Sequence, residues 1–119
     1  MKEARIILAT DTKDNRPIKA TIRELLRNKL ANNFGGFTET MGYGGYIMAD
    51  GILKTEAVYI YDVAMPHQDF PALRAIAAWL RIVAEQETVY LRDPDGNVAF
   101  VADPPQYRNR QTGELADIP

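Results

Sequence analysis

Glu56 is the charged residue of this chain that most needs a chemical explanation. It lies near the start of KTEAVYIYDV, residues 54–63, a run of β-branched and aromatic residues that predicts a β-strand. Counting by twos places its side chain on the same side of the strand as Val58 and Ile60, so a carboxylate faces apolar neighbours. A buried carboxylate needs a partner, and an ammonium or sulfonium ligand would supply one. A side chain that reaches solvent, or an ion pair with a Lys or Arg of the first predicted helix, would also explain it.

The segment before Glu56, residues 32–51, contains six glycines and four aromatic residues. Glycine permits close backbone approach and unusual backbone angles, and aromatic rings offer flat surfaces on which a purine could stack. The same composition also fits a twisted or bulged hairpin whose rings belong to the core. A turn at residues 49–51 would bring Tyr46 back toward Glu56, where its hydroxyl could orient the same ligand. The four rings are those of Phe34, Phe37, Tyr43 and Tyr46.

The sequence lacks the motifs of the common nucleotide-binding and metal-binding sites. The GYGG segment is not followed by Gly-Lys-Ser/Thr, and no GxGxxG follows the first predicted strand. His67 is the single histidine and there is no cysteine, so we expect no metal site within one chain and no cofactor. Four aspartates lie in turn sequences, where Asp is common because it hydrogen-bonds the local backbone. They are Asp11, Asp14, Asp93 and Asp95.

Composition narrows the class of protein. The chain has 119 residues, of which 46% are apolar and 25% charged, as expected for one globular domain. A formal net charge of -2 gives no reason to expect a nucleic acid or an anionic membrane as a partner. The N-terminal MKEARIILATDT fits neither a signal peptide nor a membrane span. We therefore expect a cytoplasmic protein.

Hydrophobic periodicity predicts the elements that must position Glu56. Residues 4–10 predict a strand, and spacings of three and four predict a helix that begins near Pro17. An extended segment, a turn and the strand carrying Glu56 follow. Asp69 and Pro71 mark the start of a second helix. A hairpin around DPDG closes the pattern.

The order strand, helix, strand, strand, helix, strand predicts an α+β fold, a ferredoxin-like split βαβ sandwich. Its antiparallel sheet should carry two helices on one face and one extra C-terminal strand. We expect a single domain over residues 1–103 and an irregular tail over residues 104–119. Because alternate residues of the central strands are apolar on both sides, the open face of the sheet should pack against other subunits of a homo-oligomer.

The segment FGGFTETMGYGGYIMADGILKTEAVYIYDV, residues 34–63, and the helix LRAIAAWLRIVAEQETVYL, residues 73–91, resemble one family. It is that of the small phage-encoded S-adenosylmethionine lyases, long described as S-adenosylmethionine hydrolases. The resemblance covers roughly residues 4–101. Its most specific part is the glycine-rich segment, the Tyr46 position and the acidic residue ten positions later.

The resemblance implies a metal-independent lyase that converts S-adenosylmethionine to 5′-methylthioadenosine and homoserine lactone. It implies catalytic roles for Glu56 and Tyr46, and a trimer of ferredoxin-like subunits with sites between subunits. Depletion of the methyl donor would counter host restriction and modification. The alternative is a non-catalytic oligomeric protein that binds an adenine-containing metabolite or a protein partner. We expect substrate binding by Phe37, Gly42, Tyr43, Gly44, Gly45 and Val58.

Overall fold

The fold consists of one antiparallel sheet and two helices, in a computed structural model that describes residues 2–47, 49–102, 106–108 and 115–117. The helices are α1 (Ala20–Phe34) and α2 (Phe70–Val83), and a single 3-10 turn, His67–Asp69, precedes α2. The strands are β1 (Lys2–Ala9), β2 (Thr38–Ile47), β3 (Leu53–Met65), β4 (Val89–Arg92), β5 (Val98–Val101), β6 (Gln106–Arg108) and β7 (Leu115–Asp117).

The strand order is β2-β3-β1-β4-β5-β6-β7, and all neighbouring strands are antiparallel. The first helix connects β1 to β2, and β3 is inserted between these two strands. The second helix connects β3 to β4, which lies on the other side of β1. This is the split βαβ arrangement, so the predicted ferredoxin-like fold is confirmed.

The core lies between the helices and one face of the sheet, here called the helix face. Ile6, Leu8 and Tyr61 point to this face and are fully buried against Leu26 and Leu80 of the two helices. In β1, buried positions alternate with partly exposed ones, as expected for a strand covered on one side.

The other face of the sheet, here called the open face, is also apolar. Ile7, Ile60 and Tyr90 lie next to one another there, because Ile7 pairs with Ile60 on β3 and with Tyr90 on β4. All three are partly exposed. The two-sided apolar pattern expected from the sequence is therefore present, and α1 and α2 cover only the helix face.

The first helix begins three residues later than predicted. Pro17 does not lie in its first turn; it forms an isolated bridge with Asp11, and the Ile18 amide donates to the Thr10 carbonyl oxygen at 3.1 Å. These bonds tie the residues before Ala20 to the end of β1, so they cannot take helical backbone angles. At its other end, Gly35 caps α1 in the left-handed conformation with φ 87°.

Two short strands lie in the segment that the sequence predicted to be irregular. Strand β6 pairs with β5, and β7 pairs with β6, so the sheet continues beyond the extra strand expected from the sequence. Segments of three residues carry too little periodicity to be recognised as strands. The rest of the tail lies outside the described residues, and the domain boundary at residue 103 stays a prediction.

The acidic turn between β4 and β5 has the local role that its sequence predicted. The Asp93 carboxylate accepts hydrogen bonds from the backbone amides of Asp95 and Asn97, each at 2.9 Å. His67 is an exposed residue, and its Nδ1 lies 2.8 Å from the Asp95 carboxylate. No helix among the described residues is long and apolar enough to cross a membrane.

Candidate functional site

The β2–β3 hairpin places Tyr46 and Glu56 on the same face of the sheet. In its register, Tyr46 pairs with Lys54 and Gly44 pairs with Glu56. Paired residues of an antiparallel ladder point to the same side, and the side-chain direction alternates along each strand. Tyr46 is therefore a diagonal neighbour of Glu56 on the open face, as the predicted turn at residues 49–51 required.

The Glu56 side chain lies between Gly44 of β2 and the chain that leaves the end of β1. Gly44, directly opposite on β2, has no side chain to cover it. On the other side, the ladder between β1 and β3 ends at the pair Ala9 and Val58, two residues before Glu56 is reached. Glu56 is partly buried, and none of the ion pairs or hydrogen bonds found in residues 2–47 and 49–102 involves its side chain. An ion pair with α1 is not formed, because α1 lies on the helix face.

A cavity of about 710 Å³ opens in front of Tyr46 and Glu56. This volume is within the range of small-molecule sites, roughly 300–1,000 Å³. Phe100 lies at its far side, on β5, where pairing with Tyr90 puts it on the open face. Among the described residues, the charged groups along the cavity are three carboxylates and two lysines, a formal charge of -1. They are those of Asp11, Lys13, Lys54, Glu56 and Glu87.

The wall between Glu56 and Phe100 is formed by the loop after β1 and the segment after α2. Gln86 is 8% exposed and joins them, because its Nε2 donates to the carbonyl oxygens of Asp11 and Ala84, each at 2.9 Å. The Lys13 amide also donates to the Glu85 carbonyl oxygen at 2.9 Å. Two segments distant in the sequence thus form one rigid wall.

Two of the predicted binding side chains, and one of the predicted glycines, lie on the other face. Tyr43 pairs with Ala57 on the helix face, beyond the helices, and is 85% exposed. Phe37 packs edge-on against Tyr61 at a centroid distance of 6.0 Å, at the border of the core. Within one chain the sheet separates both rings from the cavity, so their predicted part in binding would require another subunit. It stays a prediction.

The hairpin glycines are extended rather than left-handed. Among the described residues, the glycines with positive φ are Gly35, Gly51 and Gly96, so Gly42, Gly44 and Gly45 need no unusual backbone angle. Their effect is the missing side chain. A Cβ on Gly42 would lie 3.1 Å from Ile60 Cδ1, which is a tight contact, whereas one on Gly44 would meet Val58 Cγ1 at 3.8 Å. Gly42, Gly44 and Val58 lie on the open face with Glu56, and Gly45 lies on the helix face.

A polar cluster that the sequence reading missed anchors β2 to α1 on the helix face. Arg27 donates to both carboxylate oxygens of Glu39, from Nε at 2.9 Å and from a terminal nitrogen at 2.6 Å, and Arg23 donates at 3.2 Å. The Arg27 hydrogen bonds lower the pKa of Glu39 from its ordinary value of 4.5 to about 2. Burial, and then the neighbouring Glu39 carboxylate, raise the pKa of Tyr61 to about 12. The spacing of Arg23 and Arg27 by four residues was the available signal.

A second hollow of about 660 Å³ lies at the other end of the sheet, beside Lys2, Arg92 and the β4–β5 turn. It includes neither Tyr46 nor Glu56 and has no aromatic lining. Near it on the open face, Arg5 Nε donates to the Asp62 carboxylate at 2.7 Å, so that carboxylate already has a cation. The cavity at Glu56 is therefore the candidate site.

No family model and no curated protein matches the sequence. Two solved structures are similar to the whole chain. A phage SAM lyase in complex with S-methyl-5′-thioadenosine is 17% identical with a TM-score of 0.57, over 98% of this chain and 87% of that one. A phage SAM lyase in the apo state is 17% identical with a TM-score of 0.55, over 97% and 83%. The chain has the fold of phage SAM lyases. The similarity covers the β2–β3 hairpin that carries Tyr46 and Glu56, the two helices and the strands that follow them.

Proposed function

We propose that this protein is an S-adenosylmethionine lyase whose active site is the cavity at Tyr46 and Glu56. The observation that carries the proposal is the partly buried Glu56 beside Tyr46 in this cavity, with no ion pair or hydrogen bond to its side chain among the described residues. Support also comes from the fold, because the similar phage SAM lyase was solved with S-methyl-5′-thioadenosine, which is the nucleoside product of the reaction proposed here. The cavity's formal charge of -1 complements S-adenosylmethionine, which carries a sulfonium, an ammonium and a carboxylate.

The proposed reaction requires no group from the protein to form a covalent bond. An oxygen of the substrate's own carboxylate bonds to the γ-carbon of the methionyl chain, the bond from that carbon to sulfur breaks, and its electron pair goes to sulfur. The products are 5′-methylthioadenosine and homoserine lactone. The sulfonium and carboxylate charges cancel, no proton moves, and no metal is needed. Water opposes this step because it solvates the separated charges, so a partly dry site that holds the folded conformer accelerates it.

Glu56 would bind the substrate ammonium, which keeps its charge throughout the reaction. This contact holds the methionyl end while the carboxylate turns toward the γ-carbon, and Tyr46 would orient the same end from the neighbouring strand. Lys54 lies beside Tyr46, with its Nζ 5.9 Å from the ring centroid. A cation there favours approach of the substrate carboxylate and disfavours a reversed orientation of the ammonium.

We also propose that the working form is a trimer with sites between subunits. The β2–β3 hairpin supports this, because it exposes an apolar row on its helix face beyond the helices. The row consists of Met41, Tyr43, Ile47 and Leu53, of which each is at least 60% exposed. A neighbouring subunit packed there would bury the row and bring Tyr43 toward a second cavity. In the cytoplasm of an infected cell, such an enzyme would deplete the methyl donor used by restriction and modification systems.

The test is the reaction itself. Purified protein and S-adenosylmethionine, with EDTA present, should yield 5′-methylthioadenosine by chromatography. In H₂¹⁸O, intramolecular attack leaves the γ-oxygen of the product unlabelled, and label enters only the carboxyl group when the lactone opens. Direct hydrolysis would instead label the γ-hydroxyl. Unchanged substrate together with retained nucleoside binding would refute the lyase and favour a non-catalytic binding protein.

Glu56→Gln tests the assignment of the carboxylate. Loss of a charge pair in a partly buried site should lower kcat/KM roughly 100-fold, equivalent to about 3 kcal/mol. Affinity for 5′-methylthioadenosine, which has no ammonium, should not change. Glu3→Gln is the matched control, because Glu3 lies on the same open face outside the cavity. Full activity of Glu56→Gln would contradict the assignment.

A further inference from the structure

The loop after β1 carries a carboxylate that the reaction above does not use. Asp11 lines the cavity, and its carboxylate makes no hydrogen bond or ion pair within the described part of the chain. In the sequence it reads as a turn residue that hydrogen-bonds its own backbone. The structure instead gives that role to Thr12, whose Oγ1 accepts from the amides of Asp14 at 3.3 Å and Arg16 at 3.2 Å.

The backbone of Asp11 is held in place from several directions. Its carbonyl oxygen accepts from the buried Gln86 side chain, and Asp11 itself bridges to Pro17. In the part of the chain that the structure describes, the non-glycine residues with positive φ are Asn15 at 61° and Glu85 at 51°, and both lie where this loop meets the end of α2. Left-handed backbone at such residues costs stability and tends to persist at functional sites. Asp11 is thus an exposed carboxylate on a rigid support.

The position of Asp11 across the sheet matches the order of groups in an adenosine ligand. Strand β1, which leads into Asp11, lies between β3 with Glu56 and β4, and β5 with Phe100 follows. Three strand spacings, roughly 14 Å, separate β3 from β5 across the sheet, and Phe100 is also displaced along the strands, because it lies in the row of Ile60. A ligand that runs from Glu56 toward Phe100 leaves β3 across the end of β1, so the group next to its methionyl end, the ribose, passes Asp11.

We propose that Asp11 binds the ribose hydroxyls of the adenosine part and so makes the site selective for ribonucleosides. Both ribose hydroxyls are donors, and an ionised carboxylate is an acceptor-only group that can receive two hydrogen bonds. The proposal rests on the proposed function, because it takes S-adenosylmethionine and its nucleoside product as the ligands. Gln86 is a positioning residue for Asp11.

Calorimetry with 5′-methylthioadenosine tests this without turnover. Asp11→Ala should weaken binding roughly 10- to 100-fold, as for the loss of hydrogen bonds to a charged group. Asp14→Ala is the matched control, because Asp14 lies in the same loop outside the cavity, with an exposed side chain. An analogue lacking both ribose hydroxyls should bind the unsubstituted protein and Asp11→Ala equally. Glu56→Gln should bind 5′-methylthioadenosine like the unsubstituted protein.

The outcomes separate the two proposals. If Asp11→Ala binds 5′-methylthioadenosine as tightly as the unsubstituted protein does, Asp11 is not the ribose ligand, whether or not the lyase is active. The same holds if Asp11→Ala prefers 5′-methylthioadenosine over the analogue without ribose hydroxyls by the same factor as the unsubstituted protein. If the unsubstituted protein binds 5′-methylthioadenosine more tightly than Asp11→Ala does but leaves S-adenosylmethionine uncleaved, the lyase proposal fails and ribose recognition by Asp11 stands. Absence of any nucleoside binding overturns both.

Discussion

Replacing Glu39 should lower stability in a way that depends on pH. Glu39 is 20% exposed and accepts hydrogen bonds from Arg23 and Arg27, which attach the edge strand β2 to α1. Its pKa is lowered from 4.5 to about 2. This displacement corresponds to about 3 kcal/mol, which we reduce to about 2 kcal/mol because solvent at the partly exposed Arg27 screens the pair.

The direction of the pH dependence follows from how many protons the folded and unfolded proteins bind. A carboxyl whose pKa is depressed by folding binds fewer protons in the folded than in the unfolded protein, so it stabilises the fold at pH values above 4.5. The contribution is lost as the pH falls from 4.5 toward 2. Glu39→Gln should therefore reduce the free energy of unfolding by about 2 kcal/mol at pH 7 and by less than about 1 kcal/mol at pH 3.

Urea unfolding at several pH values measures this difference. Subtracting the variant from the unsubstituted protein removes the titration of the other carboxylates, which both proteins share. Glu24→Gln, in the exposed part of α1, is the matched control and should change the free energy of unfolding by less than about 0.5 kcal/mol at every pH. A difference for Glu39→Gln that is the same at pH 7 and pH 3 would refute the electrostatic account of the cluster.

Two further substitutions test the support of the site and the contact between subunits. Gln86→Ala removes two hydrogen bonds made by a buried side chain, so urea unfolding should show a loss of about 2 kcal/mol in the free energy of unfolding. Affinity for 5′-methylthioadenosine should fall as the Asp11 loop loosens, and unchanged affinity would mean that Gln86 does not position the loop. Tyr43→Thr keeps a β-forming residue at an 85% exposed position, so it should leave the fold of the subunit intact. It should lower the mass of the oligomer measured by light scattering. An unchanged mass would show that Tyr43 does not contribute to the interface between subunits.

Much of the fold and the central pair of the site could be predicted from the sequence because they depend on local periodicity. A period of two in β3 and a turn at residues 49–51 were sufficient to bring Tyr46 to the same face as Glu56. The alternation of side chains along a strand also predicts positions for Tyr43 and Glu39 that our sequence-based expectations did not include. Tyr43 is three residues from Tyr46, so an unbroken strand had to place the two rings on opposite faces. Glu39 is four residues from Tyr43 in the same strand, so it had to lie on the same face as Tyr43, the face that α1 and its arginines cover.

The remaining parts of the site depend on contacts between segments distant in the sequence. Phe100 reaches the cavity because β4 pairs with β1 and β5 pairs with β4, and no local pattern around Phe100 indicates this order. Asp11 and Gln86 are 75 residues apart, and the hydrogen bond from the Gln86 side chain to the Asp11 carbonyl oxygen helps to fix Asp11 in the wall of the cavity. Side-chain alternation is a property of each strand alone, whereas strand order and loop packing are properties of the folded chain. The sequence alone therefore predicted that the carboxylate and the tyrosine share one face, and only the tertiary structure decided which groups surround them.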